Sequence, residues 1–304
     1  MPADRYREAL DREAPLPGIQ GVSFIGAPPR HFAGTRPGFA AVAAKHQNGR
    51  TRIADLAQAA PLRLLFPRVP DDEPLTACLA NTAGGIVGGD LHQIRVTAMP
   101  GARILAIGQA AEKVYRSAGP TARMDIDLAA ERDSWLEWLP QETIVFEGAR
   151  FRRRTRVEVD ATARTLTGEI LVLGRKAHGE TLTTGFLRDM VEIRRDGKAI
   201  WADALHLDGD LRAPLQHEAA FAGAHAAALL VLHAPQAPTY RDTLRALAPP
   251  EGVRFGATIV AGLLIARWLA WDALMLRRHY AAAWTLLRSQ AAGLPARLPA
   301  LWYI

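Results

Sequence analysis

The sequence predicts a mainly β protein: an antiparallel or helical β-sheet domain with a few helices concentrated in the C-terminal third. Apolar and polar residues alternate with period two through most of the chain up to about residue 205. Gly, Pro and Asp turn signals recur about every eight to twelve residues, a pattern of many short strands rather than of alternating helices and strands. A change of character follows, where Ala234-Pro-Gln-Ala-Pro238 and Ala248-Pro-Pro250 interrupt the alternation and longer apolar runs begin.

The strand signals start at 38–45 and 50–54, joined through Asn48-Gly49, the favoured pair for a type I′ hairpin turn. Residues 91–97 alternate like a strand with one buried face, and further runs fall at 102–108, 122–128, 134–139, 143–146, 151–159, 168–173, 183–194 and 199–205. At 151–159, Phe151, Arg153, Thr155, Val157 and Val159 share one face against Arg152, Arg154, Arg156 and Glu158 on the other. Later, 257–260 and 263–268 form a hairpin across Ala261-Gly262. Residues 271–289 read as a helix, with Leu274, Met275, the 280–284 stretch and Leu287 at helical spacing. Segments 216–228 and 240–247 are further helix candidates. The apolar end, 298–304, reads as docked rather than solvated. The chain is expected to divide into a flexible tail, 1–20, and one domain, 21–304, with a β-rich core at about 38–210 and a mixed α/β part at about 211–304.

At 304 residues and 49% hydrophobic content the chain can bury a substantial core. Residues 1–13 are charged throughout, without the apolar stretch that export requires, and the apolar runs 219–234 and 257–271 are broken by His225, His233 and Arg267. Cys78 is the single cysteine and reads as a small buried hydrophobe. Together these predict a cytoplasmic protein with no disulfide and no membrane contact. The formal charge of +6 raises a nucleic-acid reading. The arginines are spread along the chain, however, and no aromatic-rich single-strand-binding motif accompanies them. The basic face at 152–156 reads as an exposed sheet face, for which an acidic protein surface is as good a partner as a phosphate backbone.

Asn81-Thr-Ala-Gly-Gly-Ile-Val-Gly-Gly-Asp90 is the most distinctive stretch. It is not a phosphate loop, because Asp90 stands where a lysine would be needed and a strand, not a helix, follows. No catalytic signature appears elsewhere. His217-Glu-Ala-Ala-Phe221 lacks the second histidine of a zinc-binding helix, no Gly-x-Ser-x-Gly elbow occurs, and the histidines are scattered. Glu137, Glu142, Glu147, Glu169 and Glu180 cannot be paired by spacing. A hydrolase or metalloenzyme with a site assembled from distant residues, and a basic nucleic-acid-binding β domain, stay open alongside a non-catalytic role.

Three further phrases complete a series: 108–117 (Gly-Gln-Ala-Ala-Glu-Lys-Val-Tyr-Arg-Ser), 136–149 (Leu-Glu-Trp-Leu-Pro-Gln-Glu-Thr-Ile-Val-Phe-Glu-Gly-Ala), and 173–180 (Leu-Gly-Arg-Lys-Ala-His-Gly-Glu) followed by Gly185-Phe-Leu-Arg-Asp189. In order and spacing the series resembles the urease accessory protein UreD family, called UreH in some systems, from about Phe39 to Trp302. Ile107-Gly108 and Glu112 depart from the family's pattern. The resemblance implies a mostly β fold and a non-catalytic maturation scaffold, a protein that binds urease apoprotein and UreF, through which the GTPase UreG delivers nickel. It implies no tightly bound cofactor, with nickel at most in transit. It points to Gly84, Gly85, Gly88, Gly89 and Asp90, to Lys113, Tyr115, Arg116 and Ser117, to Gln141 and Glu142, and to Arg175, Gly179 and Glu180, as partner-binding or architectural positions. Asp90, Glu142 and Glu180 are the candidate transient nickel contacts, since oxygen ligands bind the metal and release it.

Overall fold

The computed structural model describes residues 37–303. The expected tail, 1–20, lies outside them. Strands dominate, and they are divided between a seven-stranded and a ten-stranded sheet.

The chain opens with the hairpin β1 (Gly38–Gln47) and β2 (Arg50–Ala59), turned at Asn48 and Gly49, whose φ of 52° and 76° suit the type I′ geometry. β3 (Leu62–Leu65) pairs with β4 (Leu75–Asn81). From there the chain winds. β4 lies in the larger sheet, β5 (Leu91–Ala98) in the smaller, β6 (Arg103–Gly108) and the short β7 (Glu112–Val114) in the larger, β8 (Ala122–Ala130) in the smaller. β9 (Trp135–Leu139) and β10 (Thr143–Val145) return to the larger sheet, β11 (Arg150–Val159) to the smaller, and β12 (Arg164–Leu173) to the larger. β13 (Thr184–Arg195) and β14 (Lys198–Asp210) end the smaller sheet as a hairpin. β15 (Ala226–His233), β16 (Val253–Val260) and β17 (Leu263–Ala270) complete the larger.

Because successive turns of this winding stack in one direction, neighbouring strands within each sheet are mostly parallel: β1 with β5, β5 with β8, β8 with β11 and β11 with β13 in one, β4 with β6, β6 with β9 and β9 with β12 in the other. The sheets are therefore mixed, and the helical part of the expected fold is the apt one. Period-two alternation reports which face is buried and is blind to strand direction.

The two sheets close on an apolar core. Ile94 and Val96 on β5, Ile126 and Leu128 on β8, and Phe151 and Val157 on β11 meet Ile104, Leu136 and Trp138 from the other sheet. A second core lies on the outer face of the ten-stranded sheet, under the long helix Ala273–Ala292. Asp272 caps this helix by accepting from the Leu274 and Met275 amides at 2.8 and 3.1 Å, and Gly293, at φ 64°, ends it. Leu276, Tyr280, Trp284 and Leu287 form its buried stripe. Gly168 on β12 makes room for Tyr280, since a Cβ there would stand 2.0 Å from the phenol oxygen. Arg288, fully buried, donates to the equally buried Glu137, which also accepts from the indoles of Trp135 and Trp284. The terminal segment is docked on its own protein, with Trp302 buried and stacked on Tyr280.

The helix expected at 216–228 is absent. A short helix, Arg212–Gln216, reaches only its first residue, turns follow, and its last three residues begin β15. The candidate at 240–247 is a 3-10 turn, Ala237–Tyr240, running into the one-turn helix Arg241–Arg245. No helix among the described residues is long and apolar enough to cross a membrane.

Candidate partner-binding site

At one end of the two-sheet stack, the loop from β4 to β5 is held by backbone pairing rather than left free. Ile86 donates to the Lys113 carbonyl at 2.7 Å and accepts from the Tyr115 amide at 2.9 Å, so the loop is laid alongside β7. Asn81 anchors its start: the side-chain amide donates to the Gly85 carbonyl at 3.1 Å and to Glu112, and the side-chain oxygen accepts from the Ala83 amide. Asp90 closes its end by accepting from the Val87 amide at 2.9 Å. Val87 is left outward, half exposed. Two of the glycines answer a steric demand. A Cβ at Gly85 would lie 2.3 Å from the Tyr115 ring, and one at Gly88 would lie 2.1 Å from the Ser117 hydroxyl. Gly84 and Gly89 instead supply left-handed backbone, at φ 78° and 92°.

The segment beyond β7 carries the contact onward. The Phe146 amide donates to the Val114 carbonyl and the Ser117 amide to Gly148, while Arg116 bridges Ala149. Tyr115 sits edge-on against Phe146 with centroids 5.1 Å apart, and the Arg175 guanidinium lies 4.1 Å above the same ring. Arg175 grips Glu180 through two nitrogens, each 3.0 Å away, across a one-turn 3-10 helix that Gly179 ends at φ 69°. Glu147 fastens the next stretch, accepting from both the amides and the hydroxyls of Thr183 and Thr184. Burial pushes its carboxyl up, but these hydrogen bonds outweigh that and leave it below its ordinary value. The Gly84–Asp90 loop, Lys113, Tyr115, Arg116, Ser117, Arg175, Gly179 and Glu180, far apart in sequence, thus share one continuous wall.

Gln141 and Glu142 stand behind it. The Glu142 carbonyl accepts from the Glu112 amide, but the side chains serve the C-terminal segment. Gln141 donates to the Leu301 carbonyl at 2.9 Å, and Glu142 pairs with Arg277, which also donates to the Trp302 carbonyl and covers its ring at 4.1 Å.

The three candidate nickel contacts do not converge. Asp90 is bound to its own loop, Glu142 to Arg277 and Glu180 to Arg175, whose hydrogen bond holds the Glu180 carboxyl below its ordinary value. Among the described residues no group of three or more His, Cys, Asp and Glu is arranged to hold a metal ion. The wall's unusual acid is Glu112. Burial pushes it up to about 7, against the opposing hydrogen bonds from Asn81 and the Lys113 amide.

A second polar constellation lies between the sheets. Arg153 on β11 is buried, donates to both Asp189 oxygens at 2.9 and 2.6 Å and to Thr143, and pairs with Glu169 on β12, which accepts from Thr155 at 2.7 Å. Burial pushes the Glu169 carboxyl up, with Arg153 opposing. Glu169 and Asp189 border a cleft of about 460 Å³ that Phe255 and Trp268 also line, and on its exposed side Arg267 on β17 and Asp203 on β14 join the two sheets at 2.7 Å. Spacing does not pair Glu169 with any other acid, and Asp189 is only the end of a family phrase. The readable signal was Arg153, a charge at the inward register of an alternating strand.

A family described as UreD urease accessory protein matches residues 36–303. The chain is 46% identical over 263 residues to urease accessory protein UreD of Magnetococcus marinus, covering 85% of this chain and 91% of the relative. It is 42% identical over 254 residues to the UreD of Xanthobacter autotrophicus, covering 84% and 85%, and 40% identical over 287 residues to UreD 3 of Methylorubrum extorquens, covering 93% and 91%.

Proposed function

The chain belongs to the UreD family of urease accessory proteins, a urease maturation role follows, and from it we propose a non-catalytic scaffold in the cytoplasm that binds urease apoprotein and UreF. UreG reaches it through UreF, and nickel is the cargo. The observation that supports this reading most is the wall itself: four family phrases, separated by up to a hundred residues, meet at one end of the stack and are fixed to one another by backbone hydrogen bonds. A docking surface held rigid before binding loses little entropy when a partner arrives.

Nickel in transit would meet the three carboxylates unequally. Asp90 keeps one oxygen free of the Val87 amide, whereas Glu142 and Glu180 must first release an arginine. Such partly engaged oxygens suit a metal that has to leave again. The reading needs no tightly bound cofactor.

The test is urease activity in cells supplied with nickel, the structural subunits and the other accessory proteins, with and without this chain, while a tag on the chain is pulled down. Activity that requires the chain, with urease or UreF on the tag, is expected. Full activity in its absence, with nothing captured, would overturn the proposal.

A further inference from the structure

The cleft between the sheets lies where β14 ends the smaller one and β16 the larger, and strand register lays it out from floor to mouth. Across the larger sheet one row runs Glu169 on β12, Leu229 on β15, Arg267 on β17 and Gly256 on β16. Across the smaller sheet the facing row runs Arg153 on β11, Asp189 on β13 and Leu205 on β14. Exposure rises outward: the Glu169 and Asp189 side chains are 6% and 11% exposed, that of Arg267 55%. Leu171, Val191, Phe221 and Leu269 complete the walls. At the mouth the charges are matched, Arg267 with Asp203, while Arg254 lies over the Trp271 ring, 5.0 Å from its centroid. At the floor they are not. Among the described residues the carboxylates of Glu169 and Asp189 share one guanidinium, that of Arg153, which leaves a negative charge in excess where burial makes it costly.

We propose that this cleft binds a small organic cation, a protonated amine on an apolar body about 10 Å long, with its ammonium at the floor against Glu169 and Asp189. The length is that of two strand spacings, from Glu169 on β12 across β15 to Arg267 on β17. The volume of about 460 Å³ falls within the roughly 300 to 1,000 Å³ of small-molecule sites, which are mostly apolar with a few fixed polar groups. The ammonium supplies the charge that the floor lacks and donates to carboxylates already held by Arg153 and Thr155. Leu205 and Leu229 flank the stem, and Gly256, where a Cβ would meet nothing within 4 Å, leaves the mouth unobstructed. An organic anion would be repelled by the surplus charge, and a neutral molecule would leave it unmatched. A metal ion fits poorly, because among the described residues no third acid, His or Cys joins the two carboxylates to hold one. The inference goes beyond the scaffold reading and does not rest on it.

The test is isothermal titration calorimetry on the full chain with three probes: phenylbutylamine, which matches the length; phenylbutanol, the same body without the charge; and benzylamine, the same charge on a shorter stem. The wild type is expected to bind phenylbutylamine at least about tenfold more tightly than either of the others. Glu169→Gln leaves one carboxylate to one guanidinium, and is expected to weaken phenylbutylamine binding at least about tenfold while the unfolding temperature holds or rises. Glu251→Gln, the same change of charge on an exposed turn, is expected to match the wild type. No binding of phenylbutylamine by the wild type, equal affinity for the amine and the alcohol, or an amine affinity unchanged in Glu169→Gln would each overturn the proposal. The comparison of amine with alcohol needs no variant, so it decides the matter even if Glu169→Gln does not fold.

Discussion

Arg153 on β11 and Glu169 on β12 form an ion pair that crosses from one sheet to the other with both side chains buried, and Asp189 shares the same guanidinium. Removing the cation strands two carboxylates in the core. Arg153→Ala is expected to lower unfolding stability by roughly 3 to 5 kcal/mol, measured by urea titration, while R153M/E169Q/D189N, which discharges the whole group, recovers most of it. A single-variant loss below about 1 kcal/mol would show that the cluster is solvated.

The glycine loop offers a contrast within a few residues. Gly88→Ala drives a methyl group into Ser117 and the Pro120 carbonyl, 2.1 and 2.7 Å away, and is expected to displace the loop and abolish urease activation in the cell assay. Gly84→Ala meets nothing within 4 Å and carries only the left-handed backbone penalty, about 1 to 2 kcal/mol. Activation that survives Gly88→Ala would free the wall from any role in partner binding.

Glu112 makes stability depend on pH. Its folded value, about 7, lies above its ordinary 4.5, so the folded protein holds the proton more tightly than the unfolded chain does. That contribution is complete below about 4.5 and disappears as pH rises through 7. Between pH 5 and 8 the wild type is expected to lose roughly 2 to 3 kcal/mol more than Glu112→Gln, as read from denaturant midpoints at each pH. Parallel curves for the two proteins would refute the assignment.

Tyr280 carries a buried hydroxyl without a hydrogen-bond partner among the described residues, close against β12. Tyr280→Phe keeps the ring contacts with Trp268, Trp284 and Trp302, and is expected to raise stability by about 1 kcal/mol in thermal unfolding. A loss of that size would mean the hydroxyl is satisfied in solution.

Strand positions were legible because one buried face imposes its period on the sequence, as β5 and β11 show with strictly alternating burial. The long helix announced itself through its apolar spacing, whereas its Asp272 cap became visible only in the fold. The candidate at 216–228 misled because its alanines favour a helix in isolation, whereas its end enters the strand Ala226–His233. That strand lies between β12 and β17 with apolar cover on both sides, and pairing there overrides propensity. The site was legible only as phrases. Glu142 and Arg277, 135 residues apart, and Glu137 and Arg288, 151 apart, belong to no common motif, and only the folded winding brings them together.

The outer core is finished by the most C-terminal of the described elements. Cys78, Ile107, Trp135 and Ile170 face away from the smaller sheet and wait for Trp268, Tyr280, Trp284 and Trp302 to cover them. A growing polypeptide can stack both sheets and still present a broad greasy plate to the cell until the long helix and the segment through Trp302 emerge. A frameshift or stop that removes the long helix would therefore be as damaging as one in the middle of the β-sheets, giving aggregates and not a shortened but working protein.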